Sequence, residues 1–345
     1  MKADGVGPAD NVVTRPGRST LDSVADRAGV SRQTVSNVIN SPSIVAPSTA
    51  ARVREAISEL AYRPHPAARQ LRTRRSQVLG LRVEQSNRIS ILDRFLHSVT
   101  DSATANDHRL MLYTADDDAA EIAAFDELVG RWNVDGFILT GTHPHDPRPG
   151  HLSAAGIPFV TFGRSWDPAE HPWVDVDGAA GTRAATEHLI VRGHTRIGFL
   201  GWPDGPGVGA DRFAGWRSAL QAAGLAPGPI VRCTNDLTEG RHAAAELLDL
   251  PAESVPSAVV CVSDALALGA LAELGARGLR PGQDVAVIGF DDTDVAEVVG
   301  LTSLAQPLTD VAERSVRMLL DTIAGAGRPA GSALLQPRLV VRRSG

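Results

Sequence analysis

Residues 21–40, LDSVADRAGVSRQTVSNVIN, constrain the fold of this chain more than any other stretch. Apolar residues recur in it at helical spacing. Gly29 stands where a first helix would end, because glycine adopts the left-handed conformation of a helix end at little cost. Ser31 is placed to accept hydrogen bonds from the free amides of a second helix. The stretch therefore predicts two short helices joined by a tight turn, with an inner face of Leu21, Val24, Ala25, Ala28, Val35, Val38 and Ile39.

The outer face of the second helix is polar and carries Arg32, Gln33, Thr34, Ser36 and Asn37. An arginine can pair with guanine through two hydrogen bonds, and glutamine or asparagine can pair with adenine. A short helix that shows these side chains in its first two turns suits the major groove of DNA. Polar residues on an outer face are also the default for any small helical pair, so the order of the residues has to decide between the two interpretations.

That order, GVSRQTVS at residues 29–36, resembles the N-terminal helix-turn-helix of the lactose-repressor (LacI/GalR) family of bacterial transcription regulators. Residues 44–49 look like the loop of that family, residues 52–62 like its third helix, and residues 64–71 like its hinge helix. The resemblance implies that Arg32, Gln33, Thr34, Ser36, Asn37, Ala68 and Leu71 contact DNA. Leu71 matches the family's leucine that pries apart a central base step from the minor groove. The less favoured alternative for the arginine-rich segment, taken alone, is a flexible linker that contacts only phosphates.

The charge of the chain is unevenly placed. Residues 1–76 hold twelve Lys and Arg against six Asp and Glu, whereas the remaining residues hold twenty-two against thirty-four. A basic head on an acidic body is the electrostatic pattern of a module that meets phosphate. No apolar run is long enough to span a membrane, and residues 1–18 lack the apolar centre of a signal peptide. With only Cys233 and Cys261, we expect reduced thiols and a cytoplasmic protein.

From residue 78 onward, buried strands alternate with helices. The predicted strands are 78–83, 109–114, 134–141, 158–163, 195–201, 257–262 and 284–291, and the predicted helices are 89–106, 121–132, 182–192, 212–223, 240–248 and 265–277. Such alternation implies α/β architecture with parallel sheets covered on both faces. A break in composition near 165–180 suggests two doubly wound lobes. Residues 303–323 are predicted as a single helix that returns to close the lobes.

The predicted fold class is thus α/β, with an N-terminal all-α helix-turn-helix domain and a two-lobed doubly wound domain that the resemblance identifies as periplasmic-binding-protein-like. We expect a disordered tail over residues 1–18 and a DNA-binding domain over 19–64. The hinge helix and linker should follow over 65–76, and the effector-binding domain over 77–345.

Ligands of open α/β sheets bind at the carboxyl ends of the strands, which points to residues 85–88, 163–166, 201–212, 263–264 and 291–292. Within these ranges the resemblance assigns effector contacts to Arg212, Asp291 and Ser263. Arg164, Trp166 and Trp173 complete the predicted effector site, each tryptophan being either a stacking platform or a core residue. Asp264 is predicted to cap the helix that follows it.

Three sharper patterns are weak. GPGVGA at 205–210 fits a dinucleotide fingerprint only with a proline inside the turn, and no acidic residue follows at the required spacing. Residues 143–151, with three histidines and one aspartate, are predicted to form a solvated loop. Asp116, Asp117 and Asp118 lack the glycine and glutamate of a calcium loop. We therefore predict no cofactor, no metal and no enzymatic activity.

The sequence favours a homodimeric repressor of carbohydrate-utilisation genes. Its partners would be a palindromic double-stranded DNA operator and a sugar or oligosaccharide effector that releases it, with no membrane association. The alternatives are a cytoplasmic ligand-binding protein without a DNA role, a nucleotide-dependent enzyme built on the loop at 197–212, or a regulator that responds to a nucleobase or a phosphorylated effector.

Overall fold

The structure is a computed structural model, and it describes residues 19–62, 75–83, 91–164, 171–205, 207–325 and 331–345. The predicted tail, the hinge positions Ala68 and Leu71, and Trp166 lie outside the described residues. The chain divides into two compact units, Met1–Ser76 and Gln77–Gly345, and each is treated by itself below.

The first unit contains three helices, α1 (Leu21–Ala28), α2 (Arg32–Asn40) and α3 (Pro47–Glu59), with a 3₁₀ turn at Pro42–Ile44. Their ends follow local chemistry. Thr20 and Ser23 cap α1 reciprocally, Gly29 ends it at a φ of 64°, and the Ser31 hydroxyl accepts from the amide of Thr34. The predicted loop over 44–49 is therefore wrong in its second half. Helix α3 begins at Pro47, since proline suits the first turn of a helix.

One small core holds this head together. Val24, Val35 and Val53 are completely buried, one from each helix, and the rest of the predicted inner face packs around them. Ile57 and Leu60 of α3 join the same cluster, as their helical spacing predicts. The inner residues of α2 are thereby fixed, so its opposite face is left to solvent.

The second unit contains two six-stranded sheets. The first consists of β1 (Val78–Arg82), β2 (Arg109–Tyr113), β3 (Gly136–Leu139), β4 (Phe159–Phe162), β5 (Trp173–Val176) and β11 (Ala333–Leu335), in the order β11-β5-β4-β3-β1-β2. The second consists of β6 (Ile197–Gly201), β7 (Ile230–Arg232), β8 (Ala258–Cys261), β9 (Ala286–Asp291), β10 (Thr302–Ala305) and β12 (Arg338–Val340), in the order β12-β10-β9-β8-β6-β7. All pairs of neighbouring strands are parallel except β10 and β12.

Helices cover both sheets. The first lobe is the first sheet with α4 (Leu92–Ala105), α5 (Asp118–Trp132), α6 (Pro147–Ala155) and α12 (Leu308–Ala324), and the second lobe is the second sheet with α7 (Gly178–Val191), α8 (Val208–Ala222), α9 (Leu237–Leu248), α10 (Asp264–Ala276) and α11 (Asp294–Val299). The chain passes between the lobes three times, at residue 177, at 306–307 and at 336–337.

All seven predicted strands are present, but β5, β7, β10, β11 and β12 were missed. The predicted return helix over 303–323 is wrong in its first part. Residues up to Ala305 form β10, and Pro307 caps the start of α12. The predicted loop over 143–151 is also wrong, because Asp146 caps α6 by accepting from the amide of Arg148, and Pro147 occupies the first helical position.

Candidate functional site

The first candidate site is the outer face of α2. The Arg32 side chain is 72% exposed and lies 3.7 Å from a carboxylate oxygen of Asp22. The Gln33 amide donates to the Asn37 side-chain oxygen over 2.9 Å. Thr34 shares a 2.9 Å hydrogen bond with the Ser31 cap, which holds it at the start of the helix. Arg32 and Gln33 thus present guanidinium and amide groups outward at the end of a helix, the arrangement that reads base edges in a major groove.

The second candidate site is a cleft of about 250 Å³ between the two lobes of the second unit. It lies at the carboxyl ends of β3, β4, β5, β6, β9 and β10, as expected for open parallel sheets. Its lining is Ile91, Leu92, Thr140, Gly141, Thr142, Phe162, Gly163, Asp175, Val176, Trp202, Val208, Arg212, Asn235, Asp291 and Gln306. Two of the predicted effector residues, Arg212 and Asp291, are in this list.

Arg212 is buried between two aromatic rings. Its guanidinium carbon lies 3.6 Å from the ring centroid of Phe290 and 5.3 Å from that of Trp202. One terminal nitrogen donates to the carbonyl of Val262 over 2.6 Å and lies 3.9 Å from a carboxylate oxygen of Asp291. Burial lowers the pKa of the guanidinium, although nearby carboxylates oppose this. An arginine that is stacked and desolvated in this way is rigid, so it can orient a ligand.

Asp291 ends β9 in an unusual backbone conformation, with a φ of 123°, and Asp292 follows at 53°. Such values are costly for residues other than glycine and are characteristic of functional sites. The Asp291 carboxylate accepts from the Gln306 amide over 2.7 Å. Burial raises its pKa, and the charge of Arg212 works in the opposite direction. The site therefore holds a carboxylate whose ionised form would gain from hydroxyl donors.

Asp264 is a neighbour of Asp291. It was predicted to cap α10, but the residue that caps this helix is Ser263. The Asp264 carboxylate accepts from the amide and the hydroxyl of Thr293 and from the hydroxyl of Ser303. These bonds fix the backbone that follows Asp291. Burial and the neighbouring Asp291 raise the pKa of Asp264.

Of the other predicted effector residues, the described ones, Ser263, Arg164 and Trp173, lie around the cleft rather than in its lining. The Ser263 hydroxyl donates to the side-chain oxygen of Asn235, which does line the cleft. Arg164 bridges Asp175 of its own lobe, at 2.7 Å, and Asp211 of the other lobe. Trp173 packs beside Arg164, with the guanidinium carbon 5.9 Å from the ring centroid.

Sequence reasoning missed most of the polar lining, and the reason is structural. Asp175, Asn235 and Gln306 lie in or just after β5, β7 and β10, three of the strands that were not predicted. Thr140 and Trp202 directly follow β3 and β6, which were predicted. The rule that ligands bind at strand ends placed Trp202 in the predicted range 201–212, and it would also have found Thr140 had it been applied to the end of β3.

Three buried polar atoms of the cleft have no hydrogen-bond partner in the part of the chain that the structure describes. They are the Thr140 hydroxyl, Nε of Arg212 and Nε1 of Trp202. An unsatisfied buried polar atom costs about 1–3 kcal/mol, so each favours a ligand that supplies oxygen atoms. The lining carries Asp175 and Asp291 against Arg212. This balance disfavours an anionic ligand.

Asp118, His143 and Asp146 have the geometry of a possible metal site in the first lobe. Arg148 already donates to Asp146 over 2.6 Å and lies 3.5 Å from Asp118, so a cation is present there as a side chain. Among the described helices, none combines the length and the apolar content needed to cross a lipid bilayer.

Together, the two units define a protein with a DNA-reading helix and a separate cleft for a small polar molecule. Comparison with known proteins agrees. Residues 20–65 match the model of bacterial regulatory proteins of the lacI family, and residues 186–345 match a periplasmic binding protein-like domain.

Three relatives extend over nearly the whole chain. The transcriptional regulator CelR of Thermobifida fusca is 36% identical over 95% of this chain and 98% of its own length. A solved CelR–cellobiose complex superposes with a TM-score of 0.71 at 35% identity, covering 95% of this chain and all of that one. The repressor PurR of Salmonella paratyphi B is 32% identical over 94% of this chain and 96% of its own length. A lac repressor dimer bound to operator and the anti-inducer ONPF gives a TM-score of 0.78 at 27% identity over 95% and 99% of the two chains.

The chain belongs to the lacI family of bacterial regulatory proteins and is a transcriptional regulator. This confirms the predicted family and the predicted fold class.

Proposed function

We propose that this regulator is a homodimeric repressor that a neutral carbohydrate releases from a palindromic operator. The observation that carries the proposal is the cleft around Arg212. A flat guanidinium lies between two aromatic rings, beside Asp291 and beside buried polar atoms that have no partner. A pyranose can use such a site, since its ring face packs on aromatic surface while its hydroxyls both donate and accept. The relative CelR was solved with cellobiose.

The roles of individual residues are part of the proposal. Arg32, Gln33, Thr34, Ser36 and Asn37 would read the operator in the major groove, and Ala68 and Leu71 would contact the minor groove at its centre. Arg212 and Asp291 would bind effector hydroxyls directly, with Trp202 as a stacking surface. Ser263 would act through Asn235. Arg164 would act through Asp175 and Asp211, and Trp173 would support it. By its place in the sequence shortly after β4, Trp166 would offer a further aromatic surface to the effector.

Binding energy that differs between two arrangements of the lobes is what links the cleft to DNA. An effector changes operator affinity only by its differential affinity for the two states, typically 1–3 kcal/mol. The lac repressor dimer on its operator supports a two-fold assembly that reads two half-sites. A role on the chromosome places the protein in the cytoplasm. Binding and release require no cofactor and no catalysis.

The test is enrichment of operators from a randomised duplex pool by the full-length protein at fixed salt, followed by release with a ligand panel. We expect a palindrome to be enriched and to be released by cellobiose or a related oligosaccharide. Arg32→Ala should abolish enrichment while leaving calorimetric binding of the sugar intact. Arg212→Gln should do the reverse. A protein that enriches no sequence under any condition would contradict the proposal.

A purine is the second candidate effector. Phe162 and Trp202 both line the cleft, and their ring faces could stack on a nucleobase. The relative PurR is a repressor of similar length. Calorimetry with hypoxanthine and guanine beside cellobiose separates the two. Binding heat with a purine and none with any glycan would change the proposed effector from a carbohydrate to a purine. The proposed DNA-binding role would be unaffected. Glucose 6-phosphate serves as the anionic control and should not bind.

A further inference from the structure

Beneath the first-lobe half of the cleft lies a buried cluster of charged side chains that touches no ligand position itself. Arg148 and Glu121 are completely buried, Asp146 is nearly so, and Arg82 and Tyr113 complete the cluster. None of these residues lines the cleft. Burying charges is expensive, so a cluster of this kind needs an account.

The Arg148 guanidinium uses all five of its N–H groups. Nε and one terminal nitrogen donate to the two carboxylate oxygens of Asp146, at 2.9 and 2.6 Å. The other terminal nitrogen donates to Glu121 at 2.7 Å. The two N–H groups that remain donate to the carbonyls of Thr140, at 3.2 Å, and Gly141, at 3.1 Å. A guanidinium has five donors in one plane, and here none is left over for a ligand.

Those two carbonyls belong to the turn that forms the first-lobe wall of the cleft. Thr140, Gly141 and Thr142 all line it, and Gly141 takes a φ of 62°. With its carbonyl held by Arg148, Thr140 keeps one polar atom without a partner among the described residues. This atom is the side-chain hydroxyl, and the residue as a whole is only 2% exposed. The turn is therefore fixed from behind, and the buried Thr140 hydroxyl in it has no partner among the described residues.

The rest of the cluster holds Arg148 in place. Glu121 also binds Arg82 at 2.7 Å and accepts the Tyr113 hydroxyl at 2.9 Å. The two arginines balance the carboxylates of Glu121 and Asp146, so the cluster is close to neutral. The carboxylates of Asp146 and Glu121 raise the pKa of Arg148 against the effect of burial, which keeps it charged.

We infer that Arg148 is a positioning residue for effector recognition, which sets the Thr140–Thr142 turn so that the Thr140 hydroxyl meets the bound carbohydrate. The inference rests on the proposed function for the identity of the ligand. It does not rest on it for the geometry of the turn.

The first arm of the test needs no ligand. Arg148→Lys keeps the charge but loses the planar five-donor arrangement, so the carbonyls of Thr140 and Gly141 lose their donors. Hydrogen exchange of the full-length protein should become faster in the segment 136–146 and stay unchanged in the second-lobe strands. Leu247→Ala, a buried second-lobe residue, provides a control of comparable or greater loss of stability. Uniformly faster exchange across both lobes in Arg148→Lys would overturn the inference.

The second arm is a double-mutant cycle read by calorimetry with cellobiose. Thr140→Val removes the hydroxyl and should weaken binding about three- to tenfold, as one hydrogen bond does. If Arg148 acts through Thr140, the valine substitution should have little effect in the Arg148→Lys background. Independent effects in the two backgrounds would show that Arg148 has only a structural role.

Tyr113→Phe provides a second test in case the Arg148→Lys variant does not fold. It removes only the hydrogen bond to Glu121 and should produce a smaller change in exchange in the same segment. If wild-type protein binds neither cellobiose nor any other glycan of the panel, the carbohydrate proposal fails. The exchange arm then still decides the role of Arg148: a change confined to residues 136–146 supports it, and an unchanged segment overturns it.

Discussion

Arg32 and Arg212 are the same side chain in two opposite environments. The first is 72% exposed on α2, with a long contact of 3.7 Å to Asp22. The second is 7% exposed, stacked on Phe290 and close to Asp291. An exposed arginine costs little to keep free and is screened by salt, so it suits reversible contacts with many DNA sites. A desolvated arginine is held rigidly and interacts strongly, so it suits discrimination between small molecules.

The stability of the fold depends much more on the second arginine than on the first. Removing Arg32 leaves a solvated surface behind it. Removing Arg212 leaves buried carboxylates without their cation, which costs several kcal/mol.

Arg212→Ala should weaken calorimetric binding of the effector by about a hundredfold or more, because a buried charged donor to the ligand is lost. The unfolding free energy should fall by about 3–5 kcal/mol as Asp291 loses its partner. Operator affinity without effector should stay within a few-fold of wild type in gel-shift titrations. Arg183→Ala, an exposed arginine on α7, is the matched control and should change neither quantity. Effector binding by Arg212→Ala within threefold of wild type would contradict the role of Arg212 in binding the effector.

Arg32→Ala should weaken operator binding by about 1–3 kcal/mol, the value of a specific base contact, with no change in unfolding free energy or effector affinity. The dependence of affinity on salt sharpens the assignment. A base contact leaves the slope of log affinity against log salt almost unchanged, whereas a phosphate contact lowers it by about one. Arg54→Ala, an exposed arginine on α3, serves as the control. Unchanged operator affinity in Arg32→Ala would remove α2 from the reading surface.

Effector affinity should depend on pH through Asp291. Burial raises the pKa values of Asp291 and of its neighbour Asp264 above the ordinary range, and only ionised Asp291 accepts freely from sugar hydroxyls. Affinity should therefore be highest where the pair is fully ionised and fall as pH is lowered and the pair takes up protons. Folding stability should move in the opposite direction. A carboxylate whose pKa is higher in the folded than in the unfolded protein stabilises the fold at pH values below the unfolded-state pKa. This stabilisation is lost as pH rises through the folded-state pKa. Calorimetry and denaturant melts between pH 5 and 8 check both trends, and Asp291→Asn should flatten the binding profile.

Alanine substitutions at two glycines should give the smallest changes in stability, and the two changes should have opposite signs. Gly29 has a φ of 64° with no atom near a built Cβ, so Gly29→Ala should destabilise the head through backbone strain alone, by about 1 kcal/mol. Gly130, exposed within α5, also has space around it but an ordinary helical φ. Gly130→Ala should stabilise by up to about 1 kcal/mol. Thermal unfolding followed by circular dichroism measures both. Equal signs would contradict the assignment of Gly29 as a left-handed helix end.

The head was predictable because its signals are local. Caps, the left-handed glycine and the apolar spacing of α1 to α3 all lie within a few residues of what they determine, and the core strands β3 and β8 are continuous apolar runs. The cleft was only partly predictable. β10 has the sequence TSLA, and its two hydroxyl side chains are fully buried with distant partners: Thr302 donates to the Arg342 carbonyl and Ser303 to the Asp264 carboxylate. β5, with the sequence WVDV, has a charged residue in its apolar run, and β7 has only three residues; with these two strands Asp175 and Asn235 were lost from the predicted site. Partners that lie dozens of residues away leave no signature in the local pattern.

The three passages of the chain between the lobes also set the order in which this protein can be assembled during synthesis. The first lobe has its strands β1 to β5 by residue 176, yet α12, which covers β3, β4 and β5, is made only at residues 308–324. At roughly 5–20 residues per second, the ribosome leaves that apolar face uncovered for on the order of ten seconds. The first lobe is thus the half that a nascent chain must shield, and it is where a chaperone would be needed.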